Sequence, residues 1–259
     1  MSAHTVSIED LEFSYPGSRD VAISIPELHV SADERIALIG ASGAGKSTLL
    51  RILDGRVRGW SGVVHILGLG LNPTSQPPRS LRCETGFIFQ EFALVEQATV
   101  LQNVLNGRLG RTDMFASLFG RFSEHDQHAA WQAMRDVDIA DMADRRVEKL
   151  SGGQRQRIAI ARCLAQQPSL ILADEPVSNL DPVLAKSILT LLAGCAKERG
   201  ATLLMSSHQP GLVREYVDRI IALDGGQVAY DGPSDELDDN RLLRIYGDKI
   251  GQAKLELVA

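Results

Sequence analysis

Apolar residues follow two rhythms along this chain of 259 residues. From Thr5 to Val30 they alternate in short runs, Val6, Ile8, Leu11 and Phe13 and then Val21, Ile23 and Ile25, broken by Tyr15-Pro16-Gly17. That pattern predicts antiparallel strands joined by a turn. Shorter runs at 35–39, 62–67, 86–90 and 201–206 predict further strands, and the continuously apolar Leu170-Ile171-Leu172-Ala173 predicts a central parallel strand covered on both faces. Helical spacing marks Leu49, Leu50 and Leu53, the run 129–137, and Leu184, Ile188, Leu191, Leu192 and Cys195. A helix is also expected from about Arg155 to Gln166, ended by Pro168.

Punctuation divides these elements. Residues 71–79 hold three of the ten prolines and predict a loop. Asp224-Gly225-Gly226 between two short apolar runs is a hairpin signal. The region after residue 90 has few strand signals, several helical ones and a break at Gly107-Arg108-Leu109-Gly110, so an inserted helical subdomain is expected there. Residues 231–259 read as a short, mostly helical tail, and no internal repeat is visible.

Composition narrows the class. The chain is long enough for one large α/β domain with a sizeable core. A formal charge of −6 disfavours binding of nucleic acid through a broad basic surface, and no nucleic acid partner is expected. Cys83, Cys163 and Cys195 are odd in number and far apart, which fits a reduced, cytosolic compartment. The first ten residues lack a signal-peptide pattern, and no stretch reaches the ~18 apolar residues of a membrane helix.

The candidate chemistry centres on Gly40-Ala41-Ser42-Gly43-Ala44-Gly45-Lys46-Ser47, a G-x-x-x-x-G-K-[ST] phosphate loop with a strand before it and a helix after it. Glycines let consecutive N–H groups turn inward, and the opening helical turn adds its own unpaired donors, so a polyphosphate satisfies them. Lys46 is expected on the β- and γ-phosphates and the Ser47 hydroxyl on Mg²⁺. Asp174-Glu175 follows an apolar strand, where ligands of open α/β sheets collect. Leu150-Ser151-Gly152-Gly153-Gln154 has capping-box spacing, read either as a well-capped helix or as a second phosphate contact at a helix N-terminus. Asp181-Pro182 is a helix start. Tyr15 reads as an anchor for the strands or as a platform for a flat base, and His208 as a histidine of the loop after a strand.

The order Tyr15, phosphate loop, Gln90, LSGGQ at 150–154, Asp174-Glu175, Ser178-Asn179-Leu180-Asp181, His208 resembles the ATP-binding subunit of ABC transporters over nearly the whole chain. The resemblance implies an α/β P-loop NTPase (RecA-like) core with a mixed sheet, an N-terminal antiparallel β subdomain and an inserted α-helical subdomain. The expected division is a β subdomain and phosphate loop at 1–90, helical subdomain with signature motif at 91–160, the rest of the core at 161–230 and a tail at 231–259. It implies ATP and Mg²⁺ as cofactors. Tyr15 would stack on adenine, and Gly40, Ser42, Gly43, Ala44, Gly45, Lys46, Ser47 and Thr48 would cradle phosphates. Asp174, Ser47 and Gln90 would reach the metal, Glu175 would be the general base, and His208 would contact the γ-phosphate. Ser151, Gly153 and Gln154 would touch ATP held by the opposite subunit of a homodimer.

Two departures from the family pattern, Asp33-Glu34 for Gly-Glu and Asn179 within the SxLD element, remove no catalytic group. Within the family, Gly86 to Gln90, the stretch Asn103-Val-Leu-Asn-Gly-Arg-Leu-Gly110 and Leu172 to Asp181 look like the phosphonate importer group. This implies an integral membrane permease as partner, a periplasmic binding protein acting indirectly, a position on the cytoplasmic face of the inner membrane, and uptake of phosphonate or a related phosphorus oxyanion. Alternatives are a soluble ATPase of a carbon–phosphorus lyase complex or the ATPase of an importer for another substrate.

Overall fold

The computed structural model describes residues 4–112, 120–237 and 242. Strands β1 (His4–Phe13), β2 (Ile23–Ser31), β4 (Ser61–Ile66) and β5 (Leu69–Gly70) make an antiparallel sheet in the order β2-β1-β4-β5. A second sheet holds β3 (Arg35–Ile39), β6 (Thr85–Ile88), β7 (Leu170–Ala173), β8 (Thr202–Ser207), β9 (Arg219–Asp224) and β10 (Gln227–Pro233), in the order β10-β9-β3-β8-β7-β6. Its strands are parallel except β10, which returns antiparallel along β9.

The continuous apolar runs have a simple physical origin. Successive strand residues point to opposite faces, and this sheet is covered on both. Ile36, Leu38, Leu170, Leu172, Leu204 and Ile221 pack with the antiparallel sheet and helix α1 (Lys46–Leu53). Their neighbours Ala37, Ile39, Ile171, Ala173, Leu203 and Met205 pack against α3 (Val100–Leu105), α4 (Glu124–Asp136), α5 (Gly152–Ala165) and α6 (Pro182–Glu198). Thus α1 lies between two sheets, with Leu49, Leu50, Ile52 and Leu53 at or below 2% exposure. Short helices α2 (Arg79–Glu84) and α7 (Pro210–Val213) complete the order.

Several boundaries differ from those expected. Helix α5 begins at Gly152 rather than Arg155, because Ser151 is its N-cap and the Ser151–Gln154 capping box draws both glycines into the first turn. Helix α4 starts five residues before 129, its polar first turn being held by a Ser123–Asp126 capping box that apolar spacing does not reveal. Val21 is exposed and precedes β2. Along α6 the buried stripe runs through Ala185, Ile188, Leu189, Leu192 and Cys195, with Leu184 and Leu191 only partly covered. Residues 231–233 extend β10 and 234–236 form a 3-10 turn, so the tail is not helical from its start; most of the remainder lies outside the described residues.

Within the stretch 103–110, Asn103, Gly107 and Arg108 pack inward, while Asn106, Leu109 and Gly110 are exposed. Asn103 is fully buried and its side-chain amide donates to the Val95 and Thr99 carbonyls at 3.0 Å while its Oδ1 accepts from the Val95 N–H. A Cβ on Gly107 would stand 2.1 Å from the Arg162 carbonyl oxygen, so only glycine permits that approach of α5. Arg108, 2% exposed, pairs with Asp126 at 2.8 Å and donates to the Ala165 carbonyl and to Gln167. These residues fasten the helical segments to one another.

A buried ion pair broken on one side leaves an uncompensated charge. Arg108→Met is therefore expected to lower unfolding free energy by about 3–5 kcal/mol in urea titration. The more exposed Arg155–Glu96 pair at 3.1 Å is the control: Glu96→Gln is expected to change stability by less than about 1 kcal/mol.

Candidate functional site

The site is built where β3 and β7 end. After Ile39 the chain passes through Gly40, whose φ of 148° and 2.3 Å approach of an added Cβ to the Leu223 carbonyl oxygen exclude a side chain. Gly45 is left-handed at φ 102° and caps α1, and its Cβ would meet Ile23 and Ala22 below 3.0 Å. The loop therefore folds over the start of β2, and α1 opens into a cleft of about 550 Å³.

Ser42, Gly43, Ala44, Gly45, Lys46, Ser47 and Thr48 line this cleft with Tyr15, Gln90 and Glu175. Gly40 lies behind the lining; its carbonyl oxygen accepts from Lys46 Nζ at 2.8 Å, as does that of Ala41 at 3.1 Å. Burial lowers the Lys46 pKa, opposed by the fields of Glu175 and Asp174. Tyr15 is 43% exposed, meets Phe13 edge-on at 4.9 Å and bonds through its hydroxyl to Thr48 Oγ1 at 2.9 Å. One face can therefore be anchored while the ring remains open to the cleft.

Behind the loop, Asp174 is 3% exposed, and its Oδ1 accepts from Ser47 at 2.7 Å and from Ser206 at 2.9 Å. Arg51 of α1 stands 3.6 Å from the other oxygen. Glu175 has a left-handed φ of 46°, and its N–H donates to Ser206 Oγ at 2.8 Å. A non-glycine residue in that region is a strained conformation held by its surroundings. Gln90 Nε2 lies 3.4 Å from both Glu175 Oε2 and Ser178 Oγ, and His208 Nδ1 is 3.4 Å from the same Glu175 oxygen. The His208 contact is the largest influence on Glu175 and lowers its pKa; burial opposes this, and Lys46 helps.

The structure thus gathers Tyr15, the phosphate loop, Gln90, Asp174, Glu175 and His208 in one place. Ser151, Gly153 and Gln154 are not among the residues that line the cleft. They sit at the N-terminus of α5, where Gln154 Oε1 accepts from the Ser151 N–H at 3.0 Å and Gly153 packs so closely on Leu184 that a Cβ would approach it to 2.4 Å. Sequence reasoning missed Ser206 and Arg51. The available signal for Ser206 was a hydroxyl at the carboxyl end of a buried strand; for Arg51, nothing in the spacing distinguishes it from a solvated helix residue.

The chain matches the ABC transporter family over residues 24–178, more than half its length. It belongs to that family. It is 44% identical over 248 residues to the phosphonates import ATP-binding protein PhnC 1 of Nostoc sp., covering 95% of this chain and 94% of that one. With the phosphonates import ATP-binding protein PhnC of Alcaligenes faecalis it shares 41% identity, over 93% of this chain and 88% of the relative. Among solved structures, a dimeric ATP-binding cassette in a post-hydrolysis state with ADP and Pi superposes with TM-score 0.73 at 28% identity, covering 88% and 98% of the two chains. A cassette in its ADP conformation matches with TM-score 0.78 at 23% identity over 97% and 98%, a likeness of fold alone. The fold is that of a P-loop NTPase with a mixed sheet, an antiparallel N-terminal sheet and a helical insertion.

Because the His208 contact lowers the Glu175 pKa, removing the imidazole should raise it. In a carbon-13 NMR titration, the Glu175 carboxyl of His208→Ala is expected to titrate at higher pH than that of the parent. An unchanged titration would show that the contact does not set the ionisation of Glu175.

Proposed function

We propose that this chain is the ATP-hydrolysing subunit of an ABC importer for phosphonates or a closely related phosphorus oxyanion. The observation that carries the ATPase reading is the convergence of Lys46, the Ser47–Asp174 pair and Glu175 at one cleft. The import reading is supported by relatives named for phosphonate import at 38–44% identity across most of this chain.

Phosphoryl transfer asks a protein mainly for positioning and charge neutralisation. In this reading the polyphosphate accepts hydrogen bonds from loop N–H groups and from Lys46, which exchanges its bonds to the Gly40 and Ala41 carbonyls for phosphate oxygens. Adenine rests on Tyr15. A hydroxyl and a carboxylate 2.7 Å apart form the hard oxygen set that suits Mg²⁺, so Ser47 and Asp174 would hold it, with Gln90 nearby. Bound there, the ion neutralises charge that develops on the phosphates. Glu175 accepts the proton of the attacking water while His208 and Gln90 fix the carboxylate; it is ionised because its pKa lies below the ordinary range.

The helix N-terminus at Ser151 suits an anion, and its place outside the lining of the cleft supports a contact with ATP held by a second copy. Nucleotide then becomes the adhesive between two subunits. Among the described residues no helix is long and apolar enough to cross a membrane, so translocation needs an integral membrane permease. The proposed subunit sits peripherally on the cytoplasmic face of the inner membrane, and a periplasmic binding protein delivers the oxyanion.

Lys46→Ala is expected to abolish ATP binding or turnover, and Glu175→Gln to retain binding while lowering kcat by about 10²–10⁴-fold, the usual worth of a general base. Full hydrolysis by either variant contradicts the site. Cells lacking the chain are expected to lose uptake of labelled phosphonate and growth on it as sole phosphorus source, while growing on phosphate. Normal uptake with growth lost instead supports a carbon–phosphorus lyase role. Normal uptake and normal growth, in a strain with no second importer, refute the substrate class.

A further inference from the structure

Directly after Gln90 the backbone takes an improbable course. Phe92 and Ala93 are both left-handed, with φ of 59° and 49°, and neither is glycine. Two consecutive residues in that region are unfavourable for L-amino acids, whose Cβ crowds the carbonyl there. Two short-range backbone bonds stabilise the turn: Phe92 N–H donates to the Phe89 carbonyl at 3.2 Å and Ala93 N–H to that of Glu91 at 2.6 Å. The carbonyls face away to a single side chain. Arg162 donates from Nη2 to the Phe92 oxygen at 2.8 Å and from Nη1 to the Ala93 oxygen.

Arg162 belongs to α5, the same 14-residue helix that Ser151 caps and whose first turn carries Gly153 and Gln154. Its guanidinium also stands 5.9 Å from the Phe89 ring, whose centroid is 4.2 Å from Arg56. A planar, two-pronged donor fixes two adjacent carbonyls in direction as well as distance, which an ammonium does not. Gln90, two residues before the clamped pair, reaches Glu175 and Ser178. An unbroken mechanical path therefore runs from the N-terminus of α5, through a helix, to the turn that aims Gln90.

We propose that Arg162 is a positioning residue which, by clamping the Phe92 and Ala93 carbonyls, sets Gln90 against Glu175 and transmits movements of α5 to the hydrolytic site. The inference rests on the ATPase reading above. It assigns Arg162 no contact with nucleotide: its effect on rate passes through Gln90.

The test is a double-mutant cycle on the full chain, with kcat and KM for Mg²⁺-dependent ATP hydrolysis measured for the parent, Arg162→Ala, Arg162→Lys, Gln90→Ala and the Arg162→Ala/Gln90→Ala double variant. Arg162→Ala should lower kcat by about tenfold or more with KM within about twofold. The double variant should be no slower than Gln90→Ala alone, and lysine should restore only part of the rate. Losses that multiply in the double variant, or a KM that rises as kcat falls, overturn the proposal, since neither is expected of a residue acting through Gln90. Should Arg162→Ala fail to fold, Arg162→Lys carries the same cycle. Hydrogen exchange supplies an arm independent of turnover: in either Arg162 variant, amides at 89–95 should exchange faster while those at 170–175 are unchanged. If the parent hydrolyses no ATP, the ATPase reading fails, and unchanged exchange at 89–95 would overturn the clamp by itself.

Discussion

A buried carboxylate holds the centre of this molecule together. Asp174 is almost completely removed from water, and such a group is tolerated only when its oxygens are hydrogen-bonded or paired. Ser47 at the start of the phosphate-loop helix and Ser206 on β8 both donate to one oxygen, while Arg51 approaches the other. Three elements distant in sequence are thereby brought into one register. The same Ser206 hydroxyl accepts from the backbone of Glu175, so the group that helps place the buried acid also positions its half-buried neighbour. Parallel pairing of β7 with β8 and of β8 with β3 makes this possible, because it puts the carboxyl ends of those strands side by side.

Local signals made much of this legible. Glycines between an apolar strand and a leucine-spaced helix identify a phosphate loop because the chemistry needs consecutive residues. The apolar run ending in Asp174-Glu175 located the carboxyl end of a central strand, and the S-x-x-Q spacing located the head of α5. The antiparallel N-terminal strands and the helical insertion were readable from periodicity, and the mixed sheet from the family that the motif order resembles. What escaped was non-local. A serine in β8 does not reveal which carboxylate lies beside it, and Arg108 in a glycine-flanked break gives no sign that Asp126, eighteen positions on, will bury with it. The left-handed turn at Phe92 and Ala93 was equally invisible, since nothing in either side chain favours it; the restraint comes from Arg162, 69 and 70 positions away.

Placement divides the proposed phosphate-binding groups into two sets. The loop, Lys46 and Glu175 line one cleft, with Asp174 bonded to Ser47 behind it, whereas Ser151, Gly153 and Gln154 crown a helix outside that lining. Gly153 is pressed against Leu184 of α6, so this helix terminus is built to hold its shape rather than to fold over toward its own cleft. In the proposed function the two sets are half-sites, complete only when two copies meet head to tail, and hydrolysis is then conditional on association.

Sedimentation velocity of the Glu175→Gln chain tests that central claim most directly, because slow hydrolysis lets the nucleotide-bound state accumulate. With ATP and Mg²⁺ the chain is expected to sediment as a dimer, to return to monomer with ADP, and to remain monomeric with ATP when Ser151→Arg is added at the helix head. A purely monomeric Glu175→Gln chain at saturating ATP, or a dimer indifferent to both nucleotide and Ser151, would contradict a site shared between two copies.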